Sequence, residues 1–452
     1  MDFLSRKARS IAPYTAGEQL RDRTYVKLNT NENPYPPSPR VKQALLDMDA
    51  DGLRRYPRPD AGLLRAAIAE KEGVSPEHVF CGNGSDEVLA LSFPAFFDAD
   101  GAGACFADLT YSFYEVFAAF FGIPAKVVPL REDFTFDLAA MRAQDCQGYY
   151  IANPNAPTGI GIGRAEMEQF VRSVPEKIVI LDEAYMDFFG ESFVPLVKEY
   201  PNVLVVRTFS KSYALAGIRC GYAVGNASLI AGLFRMKDCF NSYPVDAVAE
   251  AVCAAAVGDR DYYAAATEKV IAERGRLTVA LREMGFTVPE SRANFLFAGR
   301  GRLGGKAIYE KLRSEGVLVR FWDRPLLRDF VRITVGSHEE NDILLEKLNK
   351  KGLGKNLRDD FYDIIEQTSA GTKESLKKSL KDYDTVHKRL YHLQNRVCFV
   401  AAIALTPLLC KAEDYFFPKI MNLIKPNKQP SSRKRITLQH FRAQTAKGGL
   451  ND

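Results

Sequence analysis

The chain first suggests chemistry at Ser210-Lys211-Ser212, with Arg219 following eight positions after the lysine. The apolar run Val203-Leu204-Val205-Val206 precedes it and reads as a buried strand, so Lys211 stands at a strand's mouth, where an ammonium is poorly solvated. A lysine so placed, between two hydroxyls and ahead of an arginine, suits imine formation with a carbonyl group beside an anion site. In isolation it could equally be a surface lysine in a strand–helix turn, and other segments have to decide.

A second group points the same way. Ile178-Val179-Ile180-Leu181 is a continuous apolar run, as expected of a parallel strand covered on both faces, and it ends in Asp182-Glu183-Ala184-Tyr185. A carboxylate at the end of a buried strand is costly unless a cation or metal pairs with it. Upstream, Gly82-Asn83-Gly84-Ser85-Asp86 opens a helix whose free N–H groups make an anion seat, although an ordinary N-cap would look alike. Thr110-Tyr111-Ser112-Phe113-Tyr114 follows a strand at Ala104-Cys105-Phe106 and offers an aromatic face for a planar ring, with core packing the reading for Phe113. In Asn153-Pro154-Asn155-Ala156-Pro157-Thr158-Gly159 the prolines stop a strand, leaving an asparagine amide free to reach a ligand oxygen.

The elements needed to position these groups follow from the pattern. Short strands alternate with helical stretches such as Leu63 to Lys71, and each strand ends in a polar motif. That predicts an open, mostly parallel α/β sheet with its ligands at the carboxyl ends of the strands. Beyond about residue 248 an amphipathic helix (Tyr262 to Met284) and apolar strands at Asn294–Phe297, Val317–Arg320 and Phe330–Val335 predict a second, smaller α+β domain. Arg320 and Arg332 fall inside or at the end of these strands, either as bidentate anion binders or as salt-bridged core residues. The expected division is an N-terminal arm over 1–45, a large domain over 46–248, a small domain over 249–353 and an extension over 354–452. The prolines of Asn33-Pro34-Tyr35-Pro36-Pro37-Ser38-Pro39 predict that the arm runs extended over the surface.

Composition sets the class. Apolar and charged fractions of 46% and 26% are those of an ordinary soluble protein and leave room for a large core. Eight cysteines with no C-x-x-C pair and no His/Cys cluster argue against zinc and against a disulfide framework, and fit a reducing cytoplasm. The stretch Met1-Asp2-Phe3-Leu4-Ser5-Arg6-Lys7 has no long apolar core, so no secretory signal is expected. Charge is uneven: residues 354–452 hold 18 Lys+Arg against 10 Asp+Glu, residues 1–353 hold 43 against 46, so an enzyme-like body carries a basic extension. No nucleic-acid partner is expected.

Taken together, the motifs resemble the fold-type-I pyridoxal-phosphate aminotransferases, most closely the branch acting on histidinol phosphate. The resemblance covers residues 1 to about 350 and runs through Asn-Glu-Asn-Pro, Arg-Tyr-Pro, Gly-Asn-Gly-Ser-Asp-Glu, Thr-Tyr-Ser-Phe-Tyr, Asn-Pro-Asn-Ala-Pro-Thr-Gly, Asp-Glu-Ala-Tyr, Thr-Phe-Ser-Lys-Ser-Tyr and Val-Arg-Ile-Thr-Val-Gly. It implies that Lys211 bonds the cofactor and then moves the substrate proton, and that Asp182 pairs with the pyridinium nitrogen. Tyr185 and Asn155 would hold the ring's phenolic oxygen, and Tyr111 would stack on the ring. Ser85, Asp86, Thr208, Ser210 and Arg219 would line the phosphate end, with Asp86 orienting groups there. Tyr56 would reach the phosphate of a neighbouring subunit's cofactor, which implies a homodimer. Arg320 and Arg332 would bind the anionic ends of a phosphorylated amino alcohol and a 2-oxo acid, and no metal is implied. Ala156 departs from the pattern, standing where many relatives carry a second asparagine. In Asn241-Ser242-Tyr243-Pro244-Val245-Asp246, Pro and Asp replace frequent asparagines. Decarboxylation of threonine phosphate and transamination of aromatic amino acids share this fold and cofactor and stay open, while a binding protein that merely kept the fold is disfavoured by Lys211, Asp182 and Arg219 together.

The resemblance stops near residue 354. There, 375–397 reads as an amphipathic helix with a basic outer face, the apolar run 397–410 is shorter than the ~20 residues that span a bilayer, and 425–452 reads as basic and disordered. His387, His392 and His440 lack a metal-ligand spacing. The extension reads either as a contact module for a protein or membrane surface, or as a segment foreign to the enzyme.

Overall fold

Residues 3–349, apart from 16 and 21, are described in a computed structural model, and all belong to the first of two units into which the chain divides, Met1–Gly354. The three expectations for the extension lie outside the described residues. Seven strands form the main sheet: β2 (Val79–Gly82), β3 (Ala104–Ala107), β4 (Ala125–Val128), β5 (Gly148–Ala152), β6 (Ile178–Asp182), β7 (Val203–Thr208) and β8 (Gly221–Gly225), in the order β2-β8-β7-β6-β5-β3-β4. Only β8 runs antiparallel, to both β2 and β7. Strands β5 to β8 are buried along their whole length, apart from half-buried Ile178, as strands covered by helices on both faces should be. One core cluster under the sheet gathers Val179, Leu181, Val203 and Val205, and a second on its other face gathers Ile180, Leu204, Val206 and Phe93. Alternate residues of the same strands thus serve opposite cores, the period-2 signature of a pleated strand.

The reversed β8 has a direct consequence. Its first residue, Gly221, pairs with Gly82 on one side and with Thr208 on the other, so Arg219 just before it arrives at the edge where the parallel strands end. A Cβ at Gly221 would lie 2.3 Å from the Ser85 nitrogen and 2.7 Å from the Gly84 carbonyl carbon. Glycine is what allows the strand to pass so close to the start of the Gly84–Phe96 helix.

The smaller sheet has the order β11-β12-β9, with β9 (Phe295–Gly299), β11 (Arg320–Phe321) and β12 (Phe330–Thr334), all antiparallel neighbours. The expected single strand over Val317–Arg320 is two pieces. Val317–Leu318 (β10) pairs in parallel with Val26–Lys27 (β1) of the N-terminal arm, and the chain then switches sheets at Val319 to give β11.

The arm differs from expectation in two respects. Leu28 is 1% exposed and Asn29 and Asn31 are buried as well, because β1 pairs with β10 and the Leu28 carbonyl accepts from the Thr334 N–H of β12. Pro39 is the first residue of a helix, Pro39–Leu46, where its missing N–H is no loss. Among the described residues no helix is long and apolar enough to cross a membrane.

Gly221→Ala is expected to destabilise the protein by about 1–3 kcal/mol, the usual cost of forcing a methyl into a packed site. A lowered urea midpoint would show it, and an unchanged midpoint would mean that the helix start gives way freely.

Candidate active site

A cavity of about 280 Å³ opens at the carboxyl edge of the main sheet. Lys211 enters it from the turn after β7, its Nζ donating to the Thr30 carbonyl at 3.2 Å and lying 5.6 Å from the Tyr185 ring centroid. The turn is pinned from the arm, since Asn33 Nδ2 donates to the Lys211 and Ser212 carbonyls, both at 3.1 Å. From below, the Ser212 hydroxyl and Arg207 Nη2 both donate to the Asp187 carboxylate. Arg207 is buried and also faces Glu72 and Glu183 at 3.7 Å, so a closed ionic network underlies the lysine turn.

Asp182 ends β6 at 4% exposure. Its carboxylate accepts from the Tyr114 hydroxyl at 2.7 Å and from the Ala184 backbone N–H at 3.1 Å. Burial pushes its pKa up from 3.8 to about 6, against the lowering effect of those two donors. Tyr111 packs edge-on against Tyr114, with centroids 5.7 Å apart, and donates its hydroxyl to Asp86 at 2.6 Å. Phe113 stacks on Tyr14 and Phe117.

The anion seat assembles around the start of the Gly84–Phe96 helix. Arg219, in left-handed backbone conformation (φ 56°), bonds Asp86 through Nη2 at 3.0 Å and Ser210 Oγ through Nη1 at 3.4 Å. Thr208 Oγ1 accepts from the Ser210 N–H at 3.1 Å. Ser85, Thr208, Ser210 and Arg219 all line the cavity. Asp86 orients Arg219 and Tyr111 together.

At the far wall, Arg320 and Arg332 face each other directly across β11 and β12. Trp322 lies between them, its ring 5.3 Å from the Arg320 guanidinium and 5.2 Å from that of Arg332. Arg332 donates to the Asn29 carbonyl at 3.0 Å, while its buried Nε finds no partner among the described residues, and burial lowers its pKa. A buried guanidinium in that condition is prepared for an anion.

Two sequence-based site residues stand elsewhere. Asn155 is fully buried outside the cavity lining; its Nδ2 donates to the Leu109 carbonyl at 2.9 Å and to Thr158 Oγ1 at 3.1 Å, and its Oδ1 accepts from Thr110 at 2.8 Å. Both of its amide hydrogens are held by Leu109 and Thr158, where the resemblance implied that it reaches a ring oxygen, and Ala156 lines the cavity. Tyr56 is 82% exposed, stacked on Tyr243 with centroids 4.8 Å apart, and outside the cavity lining.

Sequence reasoning missed Asn31, Tyr114 and Trp322. Trp322 is the only tryptophan in the chain, and Tyr114 follows Tyr111 at helical spacing, so both carried a signal. Asn31 lay inside a quoted motif, with nothing to separate it from its neighbours.

Pyridoxal phosphate, implied by the resemblance above, fits these residues on chemical grounds. A buried carboxylate with a raised pKa calls for a cationic partner, a half-buried amine stands in the same cavity, and a helix start with an arginine offers a phosphate seat. Among the described residues no group of three or more His, Cys, Asp or Glu could hold a metal ion.

Comparison with known proteins agrees. The chain is 44% identical over 347 residues to the histidinol-phosphate aminotransferase of Brachyspira hyodysenteriae, covering 76% of this chain and 98% of that one. It is 45% identical over 352 residues to that of Syntrophus aciditrophicus, covering 77% and 98%. Among solved structures, histidinol-phosphate aminotransferase from Sinorhizobium meliloti in complex with pyridoxal-5'-phosphate matches with a TM-score of 0.70 at 25% identity, over 78% of this chain and 97% of that one. A tetra mutant of the aspartate aminotransferase of Thermus thermophilus, at 23% identity and a TM-score of 0.67 over 77% of this chain and 99% of that one, shares the fold. The family described as aminotransferase class I and II matches residues 23–348, and the chain belongs to it.

Proposed function

We propose that the protein is a pyridoxal-phosphate enzyme that moves the amino group of L-histidinol phosphate to 2-oxoglutarate, giving imidazole-acetol phosphate and L-glutamate, a step of histidine biosynthesis. The observation that carries this reading is the Arg320–Arg332 pair, with an Arg332 Nε that has no partner among the described residues, in the same cavity as Lys211. Both substrates carry an anionic group beside the reacting carbon or at the far end, and such a pair receives a phosphate or a carboxylate in turn. The 44–45% identity to histidinol-phosphate aminotransferases supports the same substrates.

When bound, the cofactor supplies an electron sink for charge developing on the substrate carbon. Asp182 holds the cationic end of the ring in place through a charge-assisted bond. Ser85, Thr208, Ser210 and Arg219 hold its phosphate, and Tyr111 covers one face of the cavity. Lys211 Nζ carries the proton between the reacting positions, steered by Thr30 and the pinned turn. Arg320 and Arg332 orient the substrate and neutralise its charge.

The reading includes a homodimer in the cytoplasm. Tyr56 and Tyr243 are a stacked, exposed aromatic pair, and Leu53, Leu63 and Phe240 are exposed as well. A second copy would cover them and bring Tyr56 to its own phosphate seat. The scattered thiols suit a reducing compartment.

Loaded enzyme given L-histidinol phosphate and 2-oxoglutarate is expected to form equimolar glutamate, with ping-pong kinetics. Release of carbon dioxide from O-phosphothreonine, with no glutamate formed, would sink the proposal in favour of the decarboxylase. Asp182→Asn is expected to lower kcat about 100-fold or more, the scale of losing one preorganised electrostatic partner. The same change should leave the apoprotein at least as stable at pH 8. A carboxyl raised from 3.8 to about 6 on folding adds stability when protonated and loses it as pH rises through 6. The variant's apoprotein should lack that slope between pH 4 and 6 in thermal melts, whereas retention of the wild-type slope would assign it to other groups.

A further inference from the structure

Asn31 has a left-handed backbone (φ 55°), which is uncommon for a residue other than glycine, and it is 1% exposed at the wall of the cavity. Four hydrogen bonds over-determine it. Its N–H donates to Thr334 Oγ1 at 2.9 Å, Thr334 Oγ1 in turn donates to Asn31 Oδ1 at 3.1 Å, and the Asn31 carbonyl accepts from Asn294 Nδ2 at 3.0 Å. The Thr334 hydroxyl accepts from the backbone, so its single proton goes to Oδ1, and this leaves Nδ2 facing Tyr185. That is the fourth bond: Asn31 Nδ2 donates to the Tyr185 hydroxyl oxygen at 2.9 Å. A phenol has one proton to give. With its oxygen already accepting, and with no acceptor for it among the described residues, the Tyr185 O–H is left to donate into the cavity.

Ala156 presents a methyl group and packs in one cluster with Tyr185 and Phe295, while Asn155 is saturated within its own turn. The charged groups around the phenol are Lys211, 5.6 Å from the ring centroid, Arg332, and Asp182 three residues before it.

We propose that Asn31 is a positioning residue. It locks the Tyr185 hydroxyl as a donor to the phenolic oxygen of the cofactor ring, at a wall where Ala156 offers only a methyl group. The inference rests on the reading, made above, that the ring lies with this oxygen toward Tyr185. A donor to an oxygen that carries negative charge favours the ionised form, so the Thr334–Asn31–Tyr185 chain lowers the pH at which the bound cofactor loses its proton.

The test is a pH titration of the visible absorbance of the pyridoxal-phosphate-loaded protein, with thermal melts of each apoprotein alongside. Asn31→Gly suits the left-handed backbone and removes only the amide; Asn31→Asp places an acceptor where the donor was and draws the Tyr185 proton away from the cavity. Both are expected to raise the spectral midpoint, Asn31→Asp the more, by about one pH unit, with Asn31→Gly melting close to wild type. In a Tyr185→Phe background neither should shift it further. The inference is overturned if both single variants keep the wild-type midpoint while Tyr185→Phe moves it, or if their shifts persist without the phenol. A Tyr185→Phe midpoint equal to wild type would overturn the placing of the ring oxygen, and this inference with it.

Discussion

Ending a strand in a buried carboxylate costs free energy that no cation within ion-pair distance among the described residues returns. Asp182 is held ionisable by a tyrosine hydroxyl and one backbone N–H, with a smaller contribution from the Lys211 charge, and burial pushes its pKa up to about 6. The fold tolerates this because the rest of β6 is apolar and packs into two cores at once. A site of this kind stores a demand for positive charge, and a cationic ring meets it. Tyr114 bonds Asp182 and packs edge-on against Tyr111, which bonds Asp86, which in turn bonds Arg219, so hydrogen bonds and one ring contact link the carboxylate end to the phosphate end.

Lys211 is positioned by a different means. Its turn is clamped from one side by Asn33 of the arm and from the other by Asp187, which Arg207 neutralises in a buried network. Buried ion pairs are weak evidence for net stability, since desolvation offsets their attraction. Here the network ties the end of β7 to the segment after β6, which holds the amine at a defined distance from the carboxylate strand. The arm pairs β1 with β10 and carries Asn29, Thr30 and Asn31 to the cavity wall. An element that begins as a proline-punctuated run thus becomes part of the site.

Much of the site was legible in the sequence because its signals are local. An apolar run ended by a polar motif marks a strand and its functional end, and Asp182, Ser85, Thr208, Ser210 and Lys211 sit at or just after such ends and share one cavity. Asn155 shows where that logic fails: its motif places it at a strand end, yet the two prolines turn the amide toward Leu109 and Thr158 and leave Ala156 facing the cavity.

Sequence alone determined which residue types stand at the ends of buried strands, since hydrophobic periodicity and breakers are properties of contiguous residues. Tertiary structure alone decided which of those residues meet. The strand order put β8 antiparallel and so brought Arg219 to the helix start. The register placed Arg320 opposite Arg332 with Trp322 between them, and the arm's pairing buried Asn31 against Tyr185 and Thr334, residues 154 and 303 positions away. Register and long-range pairing depend on the summed fit of whole cores, which no local pattern encodes.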